Sequence, residues 1–243
     1  PGTALLRAAL ASRLPSSRDE NWRYANLRGL DRQVFSPLEA LADASLAAAS
    51  AALPAPLEGF ERIVFVDGWY SESLSGAALP EGATLLTGDA LANAAATTSV
   101  ATFQPQPATP AAPLTDVPAD LRLGQINAAL ARQGLRLAIA SGRSAAIEVI
   151  FVAATDSASA ASHPALQIEV GESATLDLVE RHLGAGDAAT FSNADVRIHA
   201  ARLARLHHHR LQQLGPRSRH FETLRLDADE QAECAFVSVA SGA

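Results

Sequence analysis

"LQIEVGESATLDLVERHLG", Leu166 to Gly184, is the stretch whose reading decides the fold. Apolar Leu166, Ile168 and Val170 alternate with Gln167 and Glu169; the polar corner "GES" follows, and Leu176 and Leu178 resume the alternation. Side chains two apart share one face of a strand, so this is a pair of strands, each with an apolar face, joined by a short corner. The unit recurs. With Ala145, Ala174, Ala204 and Ala232 as anchors, the separations are 29, 30 and 28 residues. Before the anchors lie Leu137/Ile139, Leu166/Ile168, Val196/Ile198 and Leu224/Leu226. After them lie Ile147/Val149, Leu176/Leu178, Leu206/His208 and Cys234/Phe236.

One supersecondary unit at a fixed period identifies a solenoid, and strands with stacked inward positions make it a parallel β-helix. A β-sandwich is the structural competitor, because short strands with polar corners also suit it. Register across four units favours the solenoid. A helix over "ADLRLGQINAALARQG", with Asp120 near its start and Gly134 as its stop, is expected to cover the open start of the coil.

The first half reads as helices around one short strand. "TALLRAALASRL", Thr3 to Leu14, has helical spacing and ends at Pro15. In "SPLEALADASLAAASAALP", Ser36 as cap, Pro37 at the first helical position and Glu39 as capping-box partner predict a helix start, with Pro54 closing the run. Ile63 to Val66 is a strand followed by the turn pair Asp67-Gly68. Two aromatic pairs, Trp22/Tyr24 and Trp69/Tyr70, are expected to serve a small core. Five prolines from Pro105 to Pro118 mark a linker. The domain division is therefore 1–118, a mostly helical N-terminal domain with its proline-rich linker at 104–118, and 119–243, a capping helix and β-helix core.

Composition excludes several function classes. The chain has 19 basic against 26 acidic residues, a net charge of -7, and no Lys, so it carries no polyanion-binding footprint and no phosphate loop of the GxxxxGK[ST] type. A single cysteine, Cys234, excludes an internal disulfide framework and fits a reducing compartment. No apolar run reaches the ~18 residues of a membrane span, and the N-terminus lacks a signal-peptide layout. A cytoplasmic protein, trimmed at both ends, is the expectation.

Candidate chemistry is sparse. In His207–His209, the outer two share a strand face and His208 takes the other, which gives a partial metal site at best. His182, His199 and His220 add to it only if the coils stack them close. His208 falls in an apolar column and reads as a hydrogen-bonded buried histidine, while Cys234 reads as a small buried hydrophobe. Glu148, Asp177 and Glu180 read as solvent-facing. No catalytic, cofactor-binding or metal-ligating residue is assigned, and no enzyme activity is expected.

A family resemblance adds to this. "RDENWRYANLRGL" (Arg18 to Leu30), "VFVDGWYSESLS" (Val64 to Ser75), "INAALARQGLRLAIASG" (Ile126 to Gly142), "LQIEVGESATLDLVERHLG" and "FSNADVRIHAARLARLHHHRLQ" (Phe191 to Gln212) resemble, in order and spacing, motifs of the SufB/SufD family of iron–sulfur cluster assembly proteins. The resemblance implies a right-handed parallel β-helix core after a helical N-terminal domain. It also implies a scaffold role in a SufBCD complex, with a SufB-like paralogue and a SufC-type ATPase as partners. It implies further that this chain binds no cofactor and that the iron–sulfur cluster is assembled by the full complex. Having one cysteine favours the SufD side. The chain stops inside the solenoid, so the family's ATPase-docking helices and interface histidine have no counterpart here, and the last coil offers an edge for a homodimer. The competing functions are a β-helix carbohydrate-active enzyme and a protein-interaction solenoid with no cluster role.

Overall fold

The computed structural model describes residues 15–24, 34–97 and 122–241; the helix expected over 3–14 and the linker at 104–118 lie outside them. The first half contributes β1 (Ser36–Pro37), α1 (Asp43–Ala52), β2 (Glu61–Val66), β3 (Trp69–Tyr70), β4 (Ala83–Thr87) and α2 (Gly88–Thr97). Its β-branched run "RIVFV" forms β2, and Asp67 and Gly68 turn the chain with φ of 53° and 89°. Two successive positive φ values suit a two-residue hairpin, which pairs Val66 with Trp69 and Phe65 with Tyr70.

After α3 (Arg122–Leu130) come β5 (Gln133–Ile139), β6 (Ser144–Ala153), β7 (Ala160–Ser162), β8 (Ala165–Val170) and β9 (Thr175–Gly184). Next are β10 (Phe191–Ala200), β11 (Arg205–Gln213), β12 (Arg219–Ala228) and β13 (Glu233–Ala240). Strands β5, β8, β10 and β12 stack in parallel in one sheet, while β6, β9, β11 and β13 stack in parallel in the other. The chain is a parallel β-solenoid of about four turns.

The corners explain the period. Each closes with the same hydrogen bond: Arg143 N to Ala140 O, Ala174 N to Gly171 O, Ala204 N to Ala201 O, and Ala232 N to Asp229 O, at 2.9–3.1 Å. Each also holds one residue with positive φ: Gly142 at 69°, Ser173 at 56°, Leu203 at 61° and Gln231 at 59°. Only the first is glycine, so three corners carry the strain of a side chain in left-handed backbone.

Between the sheets lies one continuous core. Leu135, Leu137 and Ile139 face Ile147, Val149 and Phe151 in the first coil, and Leu166, Ile168, Val170, Leu176 and Leu178 fill the second. Val196, Ile198 and Leu206 continue it into the third. Fully burying one such side chain contributes about 1.5–3 kcal/mol, so the column, repeated rung on rung, dominates stability. A smaller cluster forms outside the second sheet, where Ala49 of α1 meets Val64, Val66, Ile150, Val152 and Leu183.

Five expectations are corrected. The first-coil anchor is Arg143 and not Ala145: Leu135 pairs with Leu166 and Ala145 with Leu176, a slip of two residues that leaves every face unchanged. Ser36 and Pro37 do not start a helix; they form β1 against Ala160 and Ala161, while α1 begins at Asp43 without a side-chain cap and Glu39 reaches Arg132 at 2.6 Å. Gly134 lies inside β5, because α3 has already ended at Leu130. There a Cβ would come within 2.9 Å of the Ala165 carbonyl oxygen, so its neighbour strand requires glycine. Helix α3 does not cover the start of the coil. It packs on β10 and β12, where Asn127 donates to the carbonyls of Pro164 and Asn193 at 2.6 Å each. The start is instead extended by β2, parallel to β6, and β4, antiparallel to β5. Finally, Tyr24 is 94% exposed with the Arg23 guanidinium 6.0 Å from its ring, so it has no core role; Tyr70 does pack on the core, against Phe65.

Replacing Ile168, 0% exposed, by Ala is expected to cost about 2–5 kcal/mol in urea denaturation, and Leu224→Ala, 37% exposed on the last coil, less than half as much. Equal costs contradict a core running along the coil axis.

Candidate functional site in the solenoid lumen

Along β9 the inward positions are Leu176, Leu178, Glu180 and His182; along β11 they are Leu206, His208, Arg210 and Gln212. The first-coil partners of Glu180 and His182 are Val149 and Phe151, so at this end the lumen turns from apolar to polar as the coils advance. Strand β12 adds His220 and Glu222 from the opposite sheet, with side chains only 5% and 7% exposed. These two share the parity of Leu224 and Leu226, which continue the Leu166 and Ile168 columns.

Glu180 is the centre of this segment. It is 0% exposed, and its two oxygens meet His182 Nε2 at 2.6 Å and His208 Nε2 at 2.8 Å. Burial disfavours its charge, but the hydrogen bonds and the fields of the two histidines prevail and hold the carboxyl well below its usual range. His182 stacks on Phe151 at 5.3 Å and approaches the His220 ring at 4.5 Å between centroids. Burial first, and the field of His182 second, push His220 down to about 3, so its imidazole is neutral near pH 7. Neither of its ring nitrogens has a hydrogen-bond partner. Glu222 Oε1 is ion-paired with Arg210, whose guanidinium also donates to Ser238 Oγ at 2.9 Å and lies 5.3 Å from the Phe236 ring. Glu222 Oε2 stands 3.7 Å from His220 Nε2. The segment thus holds two carboxylates, three imidazoles and one guanidinium, a set able to store a proton or a cation.

Other buried carboxylates are clasped structurally. Glu148 accepts from Arg62 Nε at 2.7 Å and Arg181 Nε at 2.8 Å, and Arg62 also donates to the carbonyls of Pro54 and Ala55. Asp195 accepts from Arg197 and Arg225, each at 2.7 Å.

His207 and His209 do face outward together, and His207 meets Asp177 at 2.7 Å on that exposed face. His208 is the buried, hydrogen-bonded residue its column implied. His182 and His220 come together, whereas His199 lies elsewhere, 3.4 Å from Asp229. Cys234 is half-buried beneath Leu206, and burial pushes its thiol up. The expectation that Glu148 and Glu180 face solvent is wrong, because both are fully buried: Arg62 and Arg181 close over Glu148 on the outer face, where α1 packs nearby, and Glu180 points into the lumen. Arg210 and Glu222 were not singled out, although strand parity carried the signal. Each lies an even number of residues from an inward leucine, Leu206 and Leu224.

With this geometry in view, residues 151–243 match the family model described as SUF system FeS cluster assembly, SufBD core domain. A search of curated proteins finds no match. Over the matched residues, which include the whole lumen cluster, the chain is similar to the SufB/SufD family of iron–sulfur cluster assembly.

Two predictions follow from the buried charges. Glu148→Ala strands two arginines and is expected to cost about 3–5 kcal/mol in urea denaturation; a change under about 1 kcal/mol contradicts the clasp. His163, 4% exposed, has no hydrogen-bond partner for either ring nitrogen, and burial together with the field of Arg132 pushes it from 6.5 down to about 3. The unfolded chain binds this proton first, so stability falls as pH drops from 6.5 toward 3, at up to about 1.4 kcal/mol per pH unit. His163→Gln is expected to flatten that dependence by one proton in pH-resolved denaturation; an unchanged slope contradicts a buried neutral ring.

Proposed function

We propose that this chain is a SufD-like scaffold subunit of a cytoplasmic SufBCD-type iron–sulfur cluster assembly complex, pairing with a SufB-like paralogue and working with a SufC-type ATPase. The observation that carries the reading is the family match over residues 151–243, which coincides with the later coils of the solenoid. Three further features support it. Cys234 has its thiol pushed up by burial, which suits a subunit that does not supply a reactive thiolate. The buried carboxylates Glu148 and Asp195 are engaged by arginines, which favours a framework without catalytic acid–base pairs. Strands β12 and β13 are edges among the described residues and expose Leu224, Leu226, Phe236, Val237 and Val239, a face suited to receiving further strand. Among the described residues no helix is long and apolar enough to cross a membrane.

Purification of the full-length protein from its host at native expression level tests the proposal. A paralogous β-solenoid protein and an ATPase are expected to co-elute in stoichiometric amounts. Recovery of the protein with neither contradicts the scaffold reading.

A further inference from the structure

We propose that His182, His220 and Glu222 form a binding site for a divalent first-row transition-metal ion inside the solenoid lumen. Their ligand atoms all lie within 4.8 Å of one another. Donors around a metal at about 2.0–2.2 Å stand roughly 3–4 Å apart, so the trio needs only a small side-chain closure. Two imidazoles and one carboxylate with positions left open is a set that suits zinc, cobalt and ferrous iron and disfavours magnesium and calcium.

Independent observations point to a ligand here. His220 is 5% exposed with both ring nitrogens unpartnered, an arrangement that leaves a desolvated polar group uncompensated. Glu222 Oε2 likewise accepts no hydrogen bond, while its Oε1 is fixed by Arg210. Behind His182 stands Glu180, whose carboxylate oxygen lies 2.6 Å from Nε2 and leaves Nδ1 as the other ring nitrogen. A carboxylate behind a ligating histidine is the arrangement that orients such rings in metal sites. Around the trio, two carboxylates, Glu180 and Glu222, stand against the single guanidinium of Arg210. His208 holds the other oxygen of Glu180, so the carboxylate cannot swing away. A small cavity lined by Phe151, His182, Ser192 and Leu214 lies beside His182.

The inference stands apart from the scaffold reading and is tested on the isolated chain. Metal-stripped protein is titrated with Co²⁺, following visible d–d absorption and heat of binding, and thermal unfolding of each metal-free variant checks the fold. One Co²⁺ per chain is expected, with binding at least tenfold weaker in His220→Gln and in Glu222→Gln and unchanged in the exposed-face variant His207→Gln. Absence of binding to the folded wild type overturns the site. So does binding that survives both lumen variants, or that is lost in His207→Gln.

Discussion

Parallel, in-register stacking is the constraint on which the rest of this structure depends. When successive strands run in the same direction about 4.8 Å apart, every side chain sits directly over one from the preceding coil and shares its face. A column must then be apolar throughout, or must supply a partner for each polar group it contains. Both solutions occur here. Ala145, Leu176, Leu206 and Cys234 form one apolar column, while Arg62 over Glu148 and Arg205 beside Glu233 place opposite charges on adjacent rungs, and His207 meets Asp177 in the same way.

The same constraint explains why polar residues enter the lumen where they do. On β6 the outward positions Ile150 and Val152 are covered by α1, so this end is apolar on both faces. One coil later the inward positions become Glu180 and His182, and a buried charge at that depth persists only with partners. Glu180 has two histidines. His220 has no hydrogen bond at either ring nitrogen, which is why the lumen holds both a satisfied ionic centre and an unsatisfied edge.

Much of the architecture was legible because strand alternation and polar corners are local signals. The two-residue slip of the first coil was not, for a physical reason: moving a strand by two residues keeps every side chain on its face, so apolar pattern alone does not detect it. Gly142, the first coil's left-handed corner residue, fixes the true register. Pairing of β2 with β6 spans more than eighty residues and lies outside the repeat, so no periodicity announced it. Ser36, Pro37 and Glu39 spelled a helix start, yet their pairing with Ala160 and Arg132 prevailed over the local signature. Of the lumen cluster, the burial of His208 was readable from its column, and strand parity marked Arg210 and Glu222 as inward. Their meeting with His182 and His220 needed the two sheets brought face to face.

The structure is a parallel β-solenoid whose lumen gathers buried carboxylates and imidazoles. The claim beneath all of this is that Leu176, Leu206 and Cys234 are neighbours on three successive parallel strands. Interstrand backbone NOEs in an isotopically labelled sample test it most directly. The account predicts Leu206 linked to the Leu176 strand on one side and the Cys234 strand on the other, without the close Hα–Hα contacts of antiparallel pairs. Strong Hα–Hα contacts across this region, or Leu206 paired with a different strand, would contradict it.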